Sequence, residues 1–235
     1  MHSNFFTSTF ELTNKQIVMN NLATLDYKDR VGYFPYADAI EKQECREFKI
    51  SCLKALKSDL KNVLTLSADA FAFEQMLALN SRFTKLAVID SYERDEKVYL
   101  QGLPKYKQLK KQHQLIHYKK GDIFNAEFGK YDVVDLDLCG SFTIDLVNEM
   151  LAAFQQFKKG VIFITMTKNV RRSTLVDNIK EYGAKSLQEF RDKKFAKYLK
   201  NICDLEQFVK PYEYANKSLN PLAKEMVVYV FTKNL

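Results

Sequence analysis

The stretch that decides the fold is KYDVVDLDLCGSF, residues 130–142, in which an apolar run leads into two aspartates, a cysteine, a glycine and a serine. The valines and the leucine of this run indicate a buried β-strand. Asp135 and Asp137 interrupt the run, and an unpaired carboxylate is costly to bury. We therefore predict that the strand ends at the mouth of a ligand crevice and that its carboxylates face the ligand.

Short apolar runs alternate with helix-like segments along most of the chain. The predicted strands are residues 62–66, 85–89, 114–118, 131–136 and 160–166. The predicted helices between and after them are residues 70–82, 91–103, 143–157 and 173–183. Such alternation is typical of βαβ units, so we expect an α/β fold with a parallel sheet, right-handed crossovers and helices on both faces.

Both ends of the chain depart from this alternation. Residues 208–214 and 225–233 are strand-like and are joined by a polar loop too short for a crossover helix, so they should form an antiparallel hairpin at one sheet edge. Residues 1–60 are predicted to be a helical N-terminal extension packed on a domain of residues 61–235. A helix over residues 44–60 would contact the sheet through a stripe of Cys45, Phe48, Cys52 and Leu56.

Composition limits the class of protein. A chain of 235 residues with 46% hydrophobic content has material for one substantial core. It contains no apolar run near the roughly 20 residues that a membrane span needs, and its polar start lacks the layout of a signal peptide. We therefore predict a soluble, cytoplasmic protein without a membrane partner. The four cysteines and three histidines show no zinc-ligand spacing, so no metal is expected.

The formal net charge is +7, and the positive charge is unevenly distributed along the chain. Six lysines and no acid lie between residues 104 and 120, and residues 185–200 are also rich in lysine and arginine. A positive balance suits a polyanionic partner such as nucleic acid. Each basic run by itself is more often a solvated face, so the runs are supporting observations only.

Acids and small residues follow the first four predicted strands. Ligands of an open α/β sheet bind outside the carboxyl ends of its strands, which makes these positions the candidate site. The candidate cofactor-binding residues there are Ser67, Ala68, Asp69, Asp90, Ser91, Asp122, Ile123 and Asp135. An acid that ends the second strand can accept hydrogen bonds from two ribose hydroxyls, and Asp122 can accept one from an adenine amino group. No glycine-rich phosphate loop is present, so the pattern favours S-adenosylmethionine, an adenosine with a cationic centre, over a dinucleotide.

Three motifs occur in order between residues 62 and 170. They are Leu-Ser-Ala at 66–68, Asp-Leu-Asp-Leu-Cys-Gly-Ser at 135–141 and Thr-Met-Thr at 165–167. Their order and spacing resemble the tRNA guanine-N2 dimethyltransferase family, whose motifs read Leu-Ser-Ala, Asp-x-Asp-Pro-Phe-Gly-Ser and Thr-x-Thr. Leu138 and Cys139 stand where that family has Pro-Phe, and the glycine after its Ser-Ala is missing here.

The resemblance implies a Rossmann-like class I methyltransferase sheet, with five parallel strands, a C-terminal antiparallel hairpin and helices on both faces. It also implies S-adenosylmethionine as cofactor and a nucleic-acid base nitrogen as methyl acceptor, with RNA favoured over DNA. A carboxylate beside an amine acceptor can orient the attacking lone pair and offset the developing charge. Asp135 and Asp137 are the candidate catalytic residues. We expect their side chains to point to opposite sides of the sheet, and Asp135 to serve the acceptor.

Candidate substrate-binding residues lie outside these motifs. Lys168, Arg171 and Arg172 follow the fifth strand and are expected to contact phosphates. Tyr33 and Phe34 are expected to stack on an extruded base. Two alternatives stay open: a catalytically inactive methyltransferase fold that binds nucleic acid or a partner protein, and a methyltransferase with a small-molecule or protein acceptor.

Overall fold

The computed structural model describes residues 40–56, 59–66, 71–170, 182–215 and 225–235. The strands are β1 Asn62–Leu66, β2 Val88–Glu93, β3 Ile116–Lys120, β4 Val133–Phe142, β5 Gly160–Val170, β6 Glu206–Gln207, β7 Tyr212–Ala215 and β8 Glu225–Lys233. The α-helices are α1 Ile40–Ala55, α2 Ala72–Leu79, α3 Glu96–Gln112, α4 Ile144–Gln156, α5 Leu187–Glu189 and α6 Phe195–Cys203, with a π-helix, Phe190–Lys194, joining the last two. Short 3-10 helices span Ser81–Phe83, Ile123–Asn125 and Phe128–Lys130. The helix predicted over residues 173–183 falls largely outside the described residues.

The eight strands of the described residues belong to one sheet with the order β3-β2-β1-β4-β5-β8-β6, and β7 also pairs with β8. Strands β1 to β5 are parallel, whereas β8 is antiparallel to β5, β6 and β7. The predicted layout of five parallel strands with a C-terminal antiparallel hairpin is therefore confirmed. The strand order reverses between β1 and β4, which is where sheets of this kind form a ligand crevice.

Helices cover both faces of the sheet, as predicted. On one face, which we call the α1 face, Val63, Val133 and Phe163 share a hydrophobic core with Cys45 and Cys52 of α1. The opposite face packs Leu64, Val134, Leu136 and Ile162 against α4 and α6. The predicted contact of the N-terminal helix with the sheet is thus present, although the division of the chain at residue 60 stays a prediction. No helix in the described ranges is long and apolar enough to cross a membrane.

The predicted end of the second strand is wrong. Strand β2 continues to Glu93, through residues that the sequence analysis assigns to a helix, because Ser91 and Tyr92 pair with β1 on one side and with β3 on the other. Asp90 therefore lies in the middle of β2, and Glu93 is the acid at its carboxyl end. The helix that follows starts at Glu96, where the Asp95 side chain caps it by accepting a hydrogen bond from the backbone N–H of Val98.

The expectation that Asp135 and Asp137 point to opposite sides of the sheet is also wrong. Residues two apart on a strand share a face, because successive side chains alternate. Both carboxylates point to the α1 face, where each contacts a lysine of α1.

Gly160, the first residue of β5, allows a close approach between β5 and the residue before β4. Its φ is +127°, and a Cβ atom there would lie 1.9 Å from the carbonyl oxygen of Asp132. That oxygen accepts a hydrogen bond from the backbone N–H of Val161 at 2.9 Å, so it cannot retreat without loss of strand pairing.

We predict that Gly160→Ala lowers the free energy of unfolding by more than the roughly 1–2 kcal/mol that a left-handed conformation alone costs a non-glycine residue. Gly183→Ala is the matched control, because Gly183 also has a positive φ, +67°, but an added Cβ meets nothing within 4 Å. Urea unfolding of both variants measures the difference. Equal losses in the two variants would contradict the steric role of Gly160.

Candidate functional site

Two lysine–aspartate ion pairs join α1 to β4. Lys49 Nζ lies 2.6 Å from Asp135 Oδ1, and the two side chains are only 2% and 3% exposed. Lys42 Nζ lies 2.6 and 2.8 Å from the two carboxylate oxygens of Asp137, with side-chain exposures of 7% and 25%. The buried carboxylates of β4 are thus paired, which removes most of the cost of burying them.

The two lysines meet the two aspartates in reverse order along the chain. Lys42 and Lys49 are seven residues apart, about two helical turns, so both lie on one face of α1. Helix α1 runs opposite to β4, since its earlier lysine meets the later aspartate. The inner pair is closed to solvent, and the outer pair lies nearer the carboxyl end of the sheet. Asp135 is therefore buried against Lys49, and Asp137 is the carboxylate with solvent access.

The two groups of the inner pair shift each other's pKa. Burial raises the pKa of the Asp135 carboxyl above its ordinary value, although the nearby Lys49 ammonium opposes this rise. Burial alone would lower the pKa of the Lys49 ammonium, but contact with the Asp135 carboxylate raises that pKa above its ordinary value. Lys49 is thus a buried cation whose charge depends on one partner.

A third acid, Glu74 of α2, is buried on the same face of the sheet. Ser91 Oγ donates a hydrogen bond of 2.9 Å to Glu74 Oε1. Burial raises the pKa of Glu74 above its ordinary value of 4.5, which favours the neutral carboxyl. Ser91, a predicted cofactor ligand, is fully buried, and its hydroxyl is engaged by this acid.

Asp90 lies on the opposite face of the sheet from Asp135. It pairs with Leu64, which pairs with Val134, whereas Asp135 pairs with Thr65. The Asp90 carboxylate accepts hydrogen bonds from Lys119 Nζ and Tyr131 Oη, each at 2.7 Å, and lies 3.2 Å from His117 Nδ1. Burial raises the pKa of Asp90, but the hydrogen bonds from these partners lower it by a larger amount. The net pKa of Asp90 is therefore below its ordinary value. Asp90 and Asp135, which were both predicted to face one ligand, therefore lie on opposite faces of the sheet.

Glu93 and Asp122 occupy the carboxyl ends of β2 and β3. The backbone N–H of Gly121 donates to the carbonyl of Glu93 at 3.0 Å, which ties the two strand ends together. Burial raises the pKa of Glu93, whose Oε1 accepts from the backbone N–H of Asp95 at 2.7 Å. Asp122 Oδ1 accepts from the backbone N–H of Phe124 at 3.0 Å, and the Ile123 side chain is buried in the core below.

Sequence reasoning missed Glu93 because the second strand was ended too early. A signal was present: Asp95 followed by Glu96 is a typical N-cap and first-turn pair, which places the helix start after Glu93. Seven predicted site residues lie outside the described residues, and their roles stay predictions: Ser67, Ala68, Asp69, Tyr33, Phe34, Arg171 and Arg172.

Several cations of the two basic runs contact other groups of the protein. Lys105 is buried, Lys110 donates to the backbone carbonyls of Gln114 and Ile116, and Lys120 pairs with Glu96 at 3.0 Å. In the second run, Arg191 is buried and donates to the carbonyl of Lys168.

Lys168 itself lies 2.8 Å from Glu213 and 3.3 Å from Glu225, so carboxylates offset its charge. The described part of the chain contains no cluster of His, Cys, Asp or Glu arranged to hold a metal ion.

Neither a protein-family model nor a curated protein sequence matches the chain. Its structure is similar to magnesium protoporphyrin IX methyltransferase from Synechocystis PCC 6803 with bound SAH, with a TM-score of 0.59, 12% identity, and coverage of 94% of this chain and 95% of that chain. It is also similar to TYW2 from M. jannaschii in complex with AdoMet, with a TM-score of 0.53, 14% identity, and coverage of 88% and 80%. A putative RNA methyltransferase from Pyrococcus horikoshii gives a TM-score of 0.53, 14% identity, and coverage of 94% and 96%. The fold is therefore the Rossmann-like fold of class I methyltransferases.

We predict that Lys49→Met lowers the free energy of unfolding by about 3–5 kcal/mol, because it leaves the buried Asp135 carboxylate without its partner. The matched control is Lys85→Met, which removes an ion pair of similar length, 2.6 Å to Asp59, on the exposed surface. The control should show no measurable change, since exposed pairs contribute little. Chemical unfolding measures both, and a similar stability for the two variants would contradict the prediction.

We predict that Glu74→Gln stabilises the protein increasingly as the pH rises above 4.5, the ordinary pKa of the carboxyl group. The folded state holds the Glu74 proton more tightly than the unfolded state, so wild-type stability falls between the unfolded and the folded pKa. Glutamine keeps the acceptor for Ser91 and has no proton to lose. Unfolding free energies at pH 4 and pH 8 test this, and a difference between variant and wild type that shrinks with pH would contradict it.

Proposed function

We propose that the chain is an S-adenosylmethionine-dependent methyltransferase that methylates a nitrogen atom of a nucleic-acid base, with RNA preferred over DNA. The observation that carries the proposal is the set of acids at the carboxyl edge of the sheet, on either side of the point where the strand order reverses. Glu93 ends β2, Asp122 follows β3, and Asp137 extends β4 beyond the described end of β1.

These residues fit the adenosyl group by the chemistry of their acceptors. One carboxylate can accept from both ribose hydroxyls, and Glu93 takes this role in place of the predicted Asp90, whose oxygens are engaged on the other face. Asp122 has a carboxylate able to accept from an adenine amino group, whereas the predicted ligand contact Ile123 packs into the core. The likeness to structures that hold SAH and AdoMet supports the same ligand. When bound, the cofactor supplies a methyl group on a sulfonium, which is a good leaving group.

Asp137 is better suited than Asp135 to meet the methyl acceptor. Asp135 is closed off by Lys49, whereas a quarter of the Asp137 side chain is exposed at the strand end. Asp137 can accept an N–H bond from the acceptor and orient its lone pair. Asp135 with Lys49 then fixes the strand that carries Asp137.

Nucleic acid is proposed as the substrate on the net charge of +7 and on the Asp-x-Asp motif of the resembling family. The fold by itself does not identify the substrate, because the similar structures include both a putative RNA methyltransferase and magnesium protoporphyrin IX methyltransferase. Lys168 would contact a phosphate by exchanging one of its two glutamates for it.

Calorimetric titration with S-adenosylhomocysteine tests the cofactor. We predict binding that weakens at least about 10-fold in Glu93→Gln, equivalent to about 1.4 kcal/mol. Glu127→Gln, an exposed acid paired with Lys130, is the control and should leave the affinity unchanged. Absence of binding at millimolar ligand would instead support an inactive methyltransferase fold. Transfer of labelled methyl groups to protein or small molecules but not to RNA would contradict the proposed substrate.

A further inference from the structure

We propose that Lys42 and Asp137 together read the lactam edge of the acceptor base, so that the methylated atom is a ring nitrogen beside a carbonyl, as in N1 of guanine or N3 of uracil. The inference deepens the proposed function and rests on it. It departs from the exocyclic amine that the resembling family methylates.

The geometry of the outer pair presents a donor and an acceptor side by side. Lys42 Nζ lies within 2.8 Å of both oxygens of Asp137, and the pair opens to solvent on the aspartate side, since the Asp137 side chain is 25% exposed and that of Lys42 7%. An ammonium donates three hydrogen bonds and a carboxylate accepts about four, so their contact with each other does not by itself use up the hydrogen-bonding capacity of the two groups. A lactam edge carries an N–H donor next to a carbonyl acceptor. Asp137 would accept from the N–H, and Lys42 would donate to the carbonyl.

An exocyclic amine fits this pair poorly. The amino edge of guanine carries N–H donors on both the ring and the amino nitrogen, and an ammonium has no acceptor to offer them. A neutral amine that attacks a methyl sulfonium also becomes positively charged. Lys42 beside Asp137 would repel that charge and cancel the attraction of the carboxylate.

Within the described residues, Lys42 and Lys49 offset Asp137 and Asp135. Burial also raises the pKa of Glu74 above its ordinary value, which favours the neutral form of that third acid. The two ion pairs by themselves therefore offer no spare negative charge to a cationic product. This arrangement does suit an acceptor that attacks after giving up a proton, because the nitrogen then ends neutral and Lys42 stabilises the negative charge on the adjacent oxygen.

The proposed transfer forms one bond to the methyl carbon and breaks another. The ring nitrogen gives its proton to the Asp137 carboxylate and forms a bond to the methyl carbon. The bond between that carbon and the sulfonium breaks, with its electron pair left on sulfur. Lys42 keeps its protons throughout, and the products are the N-methylated base, the neutral thioether and a protonated Asp137.

The first test uses no substrate. Sinefungin replaces the methylated sulfur of the cofactor with a carbon that bears an amino group, so its affinity relative to S-adenosylhomocysteine reports the charge facing the methyl position. We expect the two ligands to bind the wild type within about 3-fold of each other. Lys42→Met should tighten sinefungin about 10-fold and leave S-adenosylhomocysteine unchanged, because Asp137 then meets the amine alone. Lys54→Met, an exposed lysine of the same helix, should change neither affinity.

Two results of this titration would overturn the inference. One is a wild type that already prefers sinefungin at least 10-fold, with no change in Lys42→Met, since Asp137 then acts as an uncompensated carboxylate. The other is an equal loss of both affinities, which would assign Lys42 to the carboxylate of the cofactor. If Lys42→Met does not fold, Asp137→Asn gives the same information in reverse, with sinefungin expected to weaken about 10-fold relative to S-adenosylhomocysteine.

The second test identifies the methylated atom. RNA is incubated with the protein and trideuteromethyl-labelled cofactor, digested to nucleosides and analysed by mass spectrometry. We expect label in N1-methylguanosine or N3-methyluridine. Label in N2-methylguanosine or on the ribose would overturn the inference while leaving the methyltransferase function intact. Binding of S-adenosylhomocysteine without any labelled nucleoside would overturn both the RNA substrate and the inference.

Discussion

The contact between α1 and β4 is an ionic one in the middle of an apolar layer, and the rest of the site depends on it. A strand that carries two carboxylates into the core would be unfavourable unless each met a cation, and both cations come from one helix. Buried ion pairs seldom add stability over well-packed apolar side chains, although breaking one is strongly destabilising. Their presence here is therefore better explained by what they position than by stability.

The two ion pairs differ in solvent exposure, and each has a different structural consequence. The pair of Lys49 and Asp135 is sealed and is held by one short contact, so it fixes the register of α1 along β4. The pair of Lys42 and Asp137 lies two helical turns away and opens to solvent on the aspartate side. A rigid inner pair thus holds an accessible outer pair at the edge where ligands of this fold bind, which is the arrangement that a functional site on regular elements requires.

The overall fold could be predicted from the alternation of apolar runs, and strands β1 and β8 were predicted with their observed bounds. Strand ends were harder to predict, because pairing with two neighbours carried β2 past Asp90 to Glu93 and moved the candidate ribose ligand with it. The two lysines of α1 were missed because lysine is ordinarily read as a solvent residue. A signal existed in their spacing: Lys42, Cys45, Lys49 and Cys52 follow one another at intervals of three and four, which sets both lysines in the core-facing stripe.

The position of α1 in the chain explains why the motifs could suggest a cofactor more readily than an acceptor. The resemblance spans residues 62–170, which build the sheet edge, whereas Lys42 lies before the first strand. The Asp137 carboxylate within the motif can accept hydrogen bonds, and what it can do to a substrate depends on the charge placed beside it. Here that charge is a lysine from outside the shared motifs. Under the proposed function, the choice of acceptor would depend on α1 as well as on the motifs, and a change at residue 42 would alter the charge beside Asp137 while leaving every motif residue in place.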